Sequence, residues 1–208
     1  MHIKQFLAAV AALTMLTGSL SGCGMDASAA DASNTGSGSA KTEGSRTAET
    51  EEKKLVIGTG QTCNTLDPVE SYNGWYIVRF GISETLTKMN DDMTISGWLA
   101  EDDYSVSEDQ KTWTFTIRDG ITFSNGNPVT AEAVKNSIQN VFDKGTRGSE
   151  YFTPASMEAD GQKLTIVCDT AEPILPNKLA DPLFCIIDTS ADMSNIQDDG
   201  PIGCGPFK

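Results

Sequence analysis

Residues with the chemistry for catalysis or metal binding are scarce in this sequence of 208 amino acids. The only histidine is His2, which lies in a segment that we predict to be removed on export. The rest of the chain therefore lacks an imidazole for a Ser/His or Cys/His nucleophile or for metal ligation. Gly58-Thr59-Gly60 is not followed by the third glycine or the lysine of phosphate-binding loops. We predict no cofactor and no metal site. Two of the Asp and Glu side chains could still form the carboxylate pair of a glycoside hydrolase. An exported hydrolase is therefore the alternative function from the enzyme class.

Cysteines are the other reactive side chains. They are Cys23, Cys63, Cys168, Cys185 and Cys204. Their spacing contains no Cys-x-x-Cys pair, which argues against zinc and iron–sulfur sites. Two interpretations stay open for the last four. They form disulfides, for which four cysteines allow three connectivities, or they are buried thiols that act as small apolar side chains.

The N-terminus has the pattern of an export signal. Met1–Lys4 is positively charged, Phe6–Leu16 is apolar, and small residues follow. The apolar run is well below the ~18–20 residues that cross a bilayer. Leu20-Ser21-Gly22-Cys23 resembles the bacterial lipobox, which implies removal of residues 1–22 as a lipoprotein signal peptide and lipid attachment at Cys23. An ordinary secretory signal cleaved nearby is the alternative.

Residues 23–54 are predicted to form a lipid-anchored flexible linker. Between positions 24 and 54 the only large apolar side chain is Met25. Such a segment cannot bury enough apolar surface to offset the entropy lost on ordering. We therefore expect the folded part, residues 55–208, to be tethered at the extracytoplasmic face of the cell membrane.

Charge excludes two kinds of partner. The chain has 15 Lys and Arg against 29 Asp and Glu, a net charge of −14. Nucleic acid requires a basic patch that neutralises phosphates, and an anionic lipid surface repels an acidic domain. We predict no nucleic-acid partner, and attachment to the membrane through the lipid anchor.

The folded part mixes strand and helix patterns. Short β-branched or alternating runs predict strands at 55–57, 105–107, 112–117 and 164–168. Apolar residues at helical spacing predict helices at 73–86, after an N-cap at Thr130, and at 173–179. The predicted core stripe of the first helix is Trp75, Val78, Ile82 and Leu86. Strands and helices without strict βαβ alternation favour a mixed α/β or α+β fold.

The segment from Ser107 to Val141, SEDQKTWTFTIRDGITFSNGNPVTAEAVKNSIQNV, resembles the signature region of the family 5 extracellular solute-binding proteins, the peptide- and nickel-binding receptors of ABC importers. Further matches are Leu66-Asp67-Pro68, the Tyr76–Leu86 helix leading to Trp98-Leu99-Ala100-Glu101, and Gly203-Cys204-Gly205-Pro206-Phe207. The resemblance implies a two-lobed fold of the periplasmic-binding-protein type. We expect a fragment that holds only part of the N-terminal lobe and its subdomain. Residues 202–207 would begin a strand whose neighbours are missing.

The same resemblance implies a monomeric receptor, not an enzyme. It would capture a small solute, a peptide in our prediction, and deliver it to the membrane permease. A receptor for nickel or a metal complex is the alternative within the family, although Cys185 lies where nickel-type members carry an arginine. The implied ligand contacts are Tyr72, Asn73 and Trp75 at the first helix, and Arg147 and Tyr151 after the second helix.

Overall fold

The computed structural model describes residues 56, 58, 60 and 63–207. The predicted signal peptide, the linker with Cys23, and most of the predicted strand at 55–57 lie outside these residues. Within the described ranges, no helix combines the length and apolar character needed to cross a bilayer.

The described elements follow one another in a mixed order of helices and strands. They are α1 Gly74–Arg79, β1 Thr87–Met89, β2 Ile95–Gly97, β3 Ser105–Val106, β4 Thr112–Thr116, α2 Ala131–Lys144, α3 Gly148–Tyr151, β5 Pro154–Asp160, β6 Lys163–Cys168, α4 Leu175–Leu179, a 3-10 helix Pro182–Phe184, and α5 Ile196–Asp199. This mixture and the presence of α4 match the sequence prediction.

A four-stranded antiparallel sheet in the order β3-β4-β6-β5 forms the centre of the domain. In β4, the buried Trp113 and Phe115 alternate with half-buried threonines. Phe115 lies opposite the buried Leu164 of β6. The period of two therefore predicted β4 correctly, because one face of this strand is buried. The predicted strands at 105–107 and 164–168 are also present, as β3 and β6.

Strand β5 was not predicted. Its sequence PASMEAD is exposed or half-buried along its whole length, so it lacks the apolar alternation that marks a strand. Its extended conformation is stabilised by the ladder to β6, in which Glu158 lies opposite Thr165.

Helix α2 has the start and the core face that the sequence predicts. The Thr130 side chain accepts a hydrogen bond from the Ala133 amide at 3.2 Å, which satisfies one of the amides at the helix start. Val134, Ile138 and Val141 are buried, and the helix packs against β5 and β6. The chain leaves α2 at Gly145.

Helix α1 is shorter than the predicted helix at 73–86. It ends at Arg79, and Gly81 then adopts a φ of +67°, a conformation that glycine reaches at little cost. The predicted core stripe was wrong at Trp75, whereas Leu86 is buried and Val78 and Ile82 pack against a buried cluster. Ile77 is fully buried, whereas Trp75 is 40% exposed, and the later members of the stripe lie beyond the helix.

Close backbone packing fixes the position of α1. A Cβ on Gly74 would lie 2.2 Å from the carbonyl oxygen of Pro182. Only glycine permits that approach, because a side chain at this distance would overlap the backbone. The start of α1 is therefore held against the chain segment that contains Asp181.

Residues 202–207 do not form the predicted strand. Gly203 pairs with Ile187 in an isolated bridge. The amides of Gly205 and Phe207 donate to carbonyl oxygens of the loop that follows α1, at 3.0 Å each. These amides are therefore satisfied inside the domain.

Asp188 connects this region to the turn at 124–128. Its Oδ2 accepts hydrogen bonds from Asn125 Nδ2 at 2.8 Å and Asn127 Nδ2 at 2.7 Å. Its Oδ1 accepts from the Ser190 amide and hydroxyl at 3.0 and 2.6 Å. Burial raises the pKa of Asp188, but these hydrogen bonds outweigh burial and lower it to about 2. A charged carboxylate therefore holds the turn in place.

The four cysteines among the described residues are free thiols. Cys168, Cys185 and Cys204 are buried, and Cys63 is half-buried. Burial raises the pKa of Cys168 to about 11, so this thiol is protonated at neutral pH. Of the two interpretations left open by the sequence, the structure has the buried thiols.

Candidate functional site

Arg147 lies at the centre of an aromatic cluster. It follows α2 directly, and its guanidinium carbon lies 4.0 Å from the centroid of the Tyr72 ring. Its Nη1 donates to the Ser71 carbonyl oxygen at 2.9 Å. Ser71 has a φ of +53°, which is unfavourable for a residue with a side chain. Arg147 therefore holds a strained turn and is itself fixed by stacking and hydrogen bonding.

A hydrogen-bonded relay runs from Arg147 to the 3-10 helix. Arg147 Nη2 donates to Tyr151 Oη at 3.1 Å, and Tyr151 Oη donates to Asp181 Oδ2 at 2.9 Å. Asp181 Oδ1 in turn accepts from the Leu183 amide at 2.9 Å. Burial and Asp181 raise the pKa of Tyr151, and Arg147 opposes that rise. The phenol therefore stays neutral and keeps donating to Asp181.

Arg147 retains donors for a ligand. Its Nε lies 3.8 Å from a Glu150 carboxylate oxygen, and its side chain is 17% exposed. Each terminal nitrogen has a second N–H, which no residue in the described part of the chain accepts. A carboxylate or carbonyl oxygen is the acceptor that such donors bind most strongly.

Large aromatic side chains beside Arg147 are exposed. Tyr72 is 61% exposed and Trp75 is 40% exposed, and the Arg79 guanidinium carbon lies 5.0 Å from the Trp75 ring centroid. Together with Tyr76 these side chains line a cavity of about 260 Å³. Asn73 is buried at the start of α1. We call Tyr72, Trp75, Arg147 and Tyr151 the aromatic face.

A larger groove shares Trp75 and Tyr151 with the aromatic face. It has a volume of about 450 Å³, and Trp98, Lys88 and Met89 also line it. The Lys88 ammonium lies 5.8 Å from the Trp98 ring centroid. We call this the tryptophan groove. It lies between α1 and the β1–β2 hairpin, which supplies Lys88 and Met89.

The structure brings together most of the ligand contacts implied by the family resemblance. Arg147 contacts both Tyr72 and Tyr151, Trp75 lines the tryptophan groove with Tyr151, and Asn73 is buried at the start of α1. Cys23 lies outside the described residues. Ligand binding by these residues stays a prediction.

Sequence reasoning missed the partners that reach the face through tertiary packing. Asp181 and Trp98 are separated from α1 by long stretches of chain, and no local pattern brings them near it. One signal was available: Trp75 and Arg79 are four residues apart on one helix, a spacing that places side chains side by side.

The aromatic face has the chemistry of recognition. It combines π surfaces with a guanidinium that has spare donors, and it adjoins the hydrogen-bonded carboxylate of Asp181. Within the described ranges, no group of three or more His, Cys, Asp or Glu side chains could hold a metal ion. A planar polar ligand with oxygen acceptors fits these groups best.

Comparisons with known proteins identify relatives of the chain. Residues 94–208 match the family described as bacterial extracellular solute-binding proteins, family 5 Middle. The nickel-binding protein NikA of Staphylococcus aureus is 35% identical over 131 residues, which are 63% of this chain and 26% of NikA. The probable D,D-dipeptide-binding periplasmic protein DdpA of Escherichia coli is 31% identical, over 74% of this chain and 32% of DdpA. The chain therefore spans about a quarter to a third of the length of these relatives.

A solved structure gives the same result. The crystal structure of S. aureus NikA in complex with Ni(L-His)2 matches with a TM-score of 0.64 and 34% identity, covering 70% of this chain and 30% of that chain. Its fold is that of the two-lobed periplasmic binding proteins, so the predicted fold class is confirmed. The chain belongs to the family 5 bacterial extracellular solute-binding proteins, the solute receptors of ABC importers.

Proposed function

We propose that this protein is the lipid-anchored receptor of an ABC importer, which captures a peptide outside the cell and passes it unchanged to the membrane permease. The observation that carries the proposal is the aromatic face in a member of this family, with Arg147 stacked 4.0 Å from the Tyr72 ring centroid. The proposal keeps the predicted division into a signal peptide at 1–22, a linker at 23–54 and a solute-binding part at 55–208. It also keeps the predicted monomer.

The groups of the aromatic face suit a peptide. The spare N–H donors of Arg147 pair with a peptide carbonyl or carboxylate oxygen, while Tyr72 and Trp75 cover the flat peptide groups. Because the guanidinium is already fixed by Ser71 and Tyr151, little side-chain entropy is lost on binding. Closure of a second lobe over this wall would then remove the ligand from water, and the ligand would shift the population towards the closed form.

A chelated nickel ion is the second candidate ligand. It is supported by the relatives named for nickel, including S. aureus NikA at 35% identity. Peptide is supported by DdpA, whose name gives a dipeptide as its ligand. Both kinds of ligand present carboxylate oxygens to Arg147, so the geometry of this side chain alone suits either.

Calorimetry with the intact gene product tests the proposal. The titrants are an equimolar set of dipeptides and tripeptides and, separately, nickel with two equivalents of L-histidine. Mass spectrometry of the released ligand shows whether its mass is unchanged, as a receptor requires and a hydrolase does not. Binding of the nickel complex without any peptide binding would select the second candidate.

The Arg147→Met variant tests whether the aromatic face binds the peptide. Methionine keeps an apolar stem but removes the donors, so we expect at least a tenfold loss of peptide affinity, which is about 1.4 kcal/mol. Lys163→Met on β6 removes a charge from an exposed position of the sheet and is the matched control. Equal affinities of the two variants would contradict a role for the aromatic face.

The lipid anchor is tested separately. With lipid on Cys23, the protein partitions into detergent, and metabolic labelling with a fatty-acid analogue marks it. Cys23→Ala is expected to abolish the label and either release the protein or leave its signal uncut. A labelled Cys23→Ala variant, or a wild-type mature protein that starts elsewhere, would contradict the anchor.

A further inference from the structure

The tryptophan groove combines apolar walls with a cation. Trp75 is 40% exposed and Met89 is 54% exposed, although large apolar side chains usually lose such exposure by packing. Val78 and Pro182 add further apolar lining, and the groove has a volume of about 450 Å³. That volume lies within the range of small-ligand sites, roughly 300–1,000 Å³.

Cations gather around this groove on an otherwise acidic domain. Residues 63–207 contain nine Lys and Arg side chains against 23 Asp and Glu. Three of the nine, Arg79, Lys88 and Arg147, stack on aromatic rings of the groove and the aromatic face. Among the described residues, neither Arg79 nor Lys88 forms a salt bridge.

Among the described residues, no acid near Lys88 forms a salt bridge with it. Asp181 accepts hydrogen bonds from Tyr151 Oη and the Leu183 amide, at 2.9 Å each. Glu84 is half-buried. Burial raises the pKa of Glu84, and a hydrogen bond with Trp98 and the positive charge of Lys88 oppose that rise. Lys88 is thus a cation beside an apolar groove, where a carboxylate is a favourable partner and an ammonium group is not.

We propose that the tryptophan groove receives an aromatic residue at the carboxyl end of a peptide. The ring lies between Trp75 and Trp98, and the terminal carboxylate pairs with Lys88. This inference rests on the proposed peptide-binding function and deepens it by naming the residue that the receptor selects. A carboxy-terminal aromatic residue carries both a ring and a carboxylate. It can therefore contact the two tryptophans and Lys88, which all line the same groove.

The experiment compares three dipeptides on the intact gene product by calorimetry. They are Ala-Phe, its carboxy-terminal amide, and Ala-Ala. We expect Ala-Phe to bind at least tenfold more tightly than either of the others. Lys88→Met keeps the aliphatic stem, so it should weaken Ala-Phe about tenfold and leave the amide unchanged. Trp98→Leu should weaken Ala-Phe and leave Ala-Ala unchanged. Lys163→Met is again the control.

The outcomes separate this inference from the proposed function. Equal affinities for the three dipeptides would overturn the inference and leave a peptide receptor. If Lys88→Met weakened the binding of Ala-Phe and of its carboxy-terminal amide equally, the role of Lys88 would be overturned, because only Ala-Phe carries the carboxylate that Lys88 is proposed to pair with. Binding of no peptide in the set would overturn both proposals.

Discussion

The hydrogen-bonded carboxylate of Asp188 offers a quantitative test of what holds the domain together. Asp188→Asn preserves the shape of the side chain but replaces an acceptor by an NH2 group. In either orientation that NH2 group faces donors, because Asn125 and Asn127 donate to one oxygen and Ser190 donates to the other. The substitution therefore places an NH2 group against donors at a buried side chain, which is more costly than the loss of a surface charge.

The magnitude follows from the pKa of Asp188. A carboxyl with a pKa of about 2 in the folded protein and an ordinary value of 3.8 in the unfolded chain contributes about 2 kcal/mol at neutral pH. Because the pKa is lowered on folding, this stability is present above pH 3.8 and is lost as the pH falls through about 2. For a domain of this size, about 2 kcal/mol corresponds to a Tm shift of about 4–8 °C.

Urea denaturation followed by tryptophan fluorescence measures the effect at several pH values. We expect Asp188→Asn to lower the free energy of unfolding by about 2–3 kcal/mol at pH 7, and the gap to the wild type to narrow towards pH 2. Asp119→Asn alters an exposed aspartate that forms no side-chain hydrogen bond with a described residue, and it serves as the control. The argument would be refuted if the wild type and Asp188→Asn had the same free energy of unfolding at pH 7, or if the difference between them stayed constant between pH 7 and pH 3.

Two further predictions follow from close packing and burial. Gly74→Ala should lower the free energy of unfolding in urea by about 1–3 kcal/mol, because the added Cβ would lie 2.2 Å from a backbone oxygen. In the control Gly58→Ala, the added Cβ meets no atom within 4 Å, so this variant should be neutral. Equal effects of the two substitutions would contradict the packing argument. In the native protein at pH 8, Cys63 should react with Ellman's reagent well before Cys168, which is buried and has a pKa of about 11; equally fast labelling of both would show that Cys168 is accessible.

Local patterns predicted the elements whose own residues define a buried face. The alternation of Trp113 and Phe115 marked β4, and the Thr130 cap with Val134 and Ile138 marked α2, because one face of each is buried in the sheet core. Strand β5 had no such signal, since its conformation depends on a ladder to β6 and not on its own apolar residues.

Helix α1 and the candidate site depend on tertiary contacts that no local sequence pattern predicts. Trp75 matched a helical stripe, yet it is exposed because Ile77 takes the buried position and Gly81 ends the helix early. The family resemblance identified Tyr72, Arg147 and Tyr151 as candidate ligand contacts. It did not give their contacts, which arise because the 3-10 helix packs against α1 and Arg147 reaches Ser71 and Tyr72 ahead of α1.

The hydrogen bonds from Gly205 and Phe207 to the loop after α1 set the order in which the domain can be completed. At about 5–20 residues per second, a ribosome needs roughly 6–25 s to travel from that loop to Phe207. Within this interval α1 lacks the backbone against which Gly74 packs until Pro182 has been made, and the buried Ile77 lacks the other buried members of its cluster until Cys185, Ile187 and Ile196 follow. The contacts that fix α1 and the loop after it therefore form late in synthesis, after most of the described residues have been made.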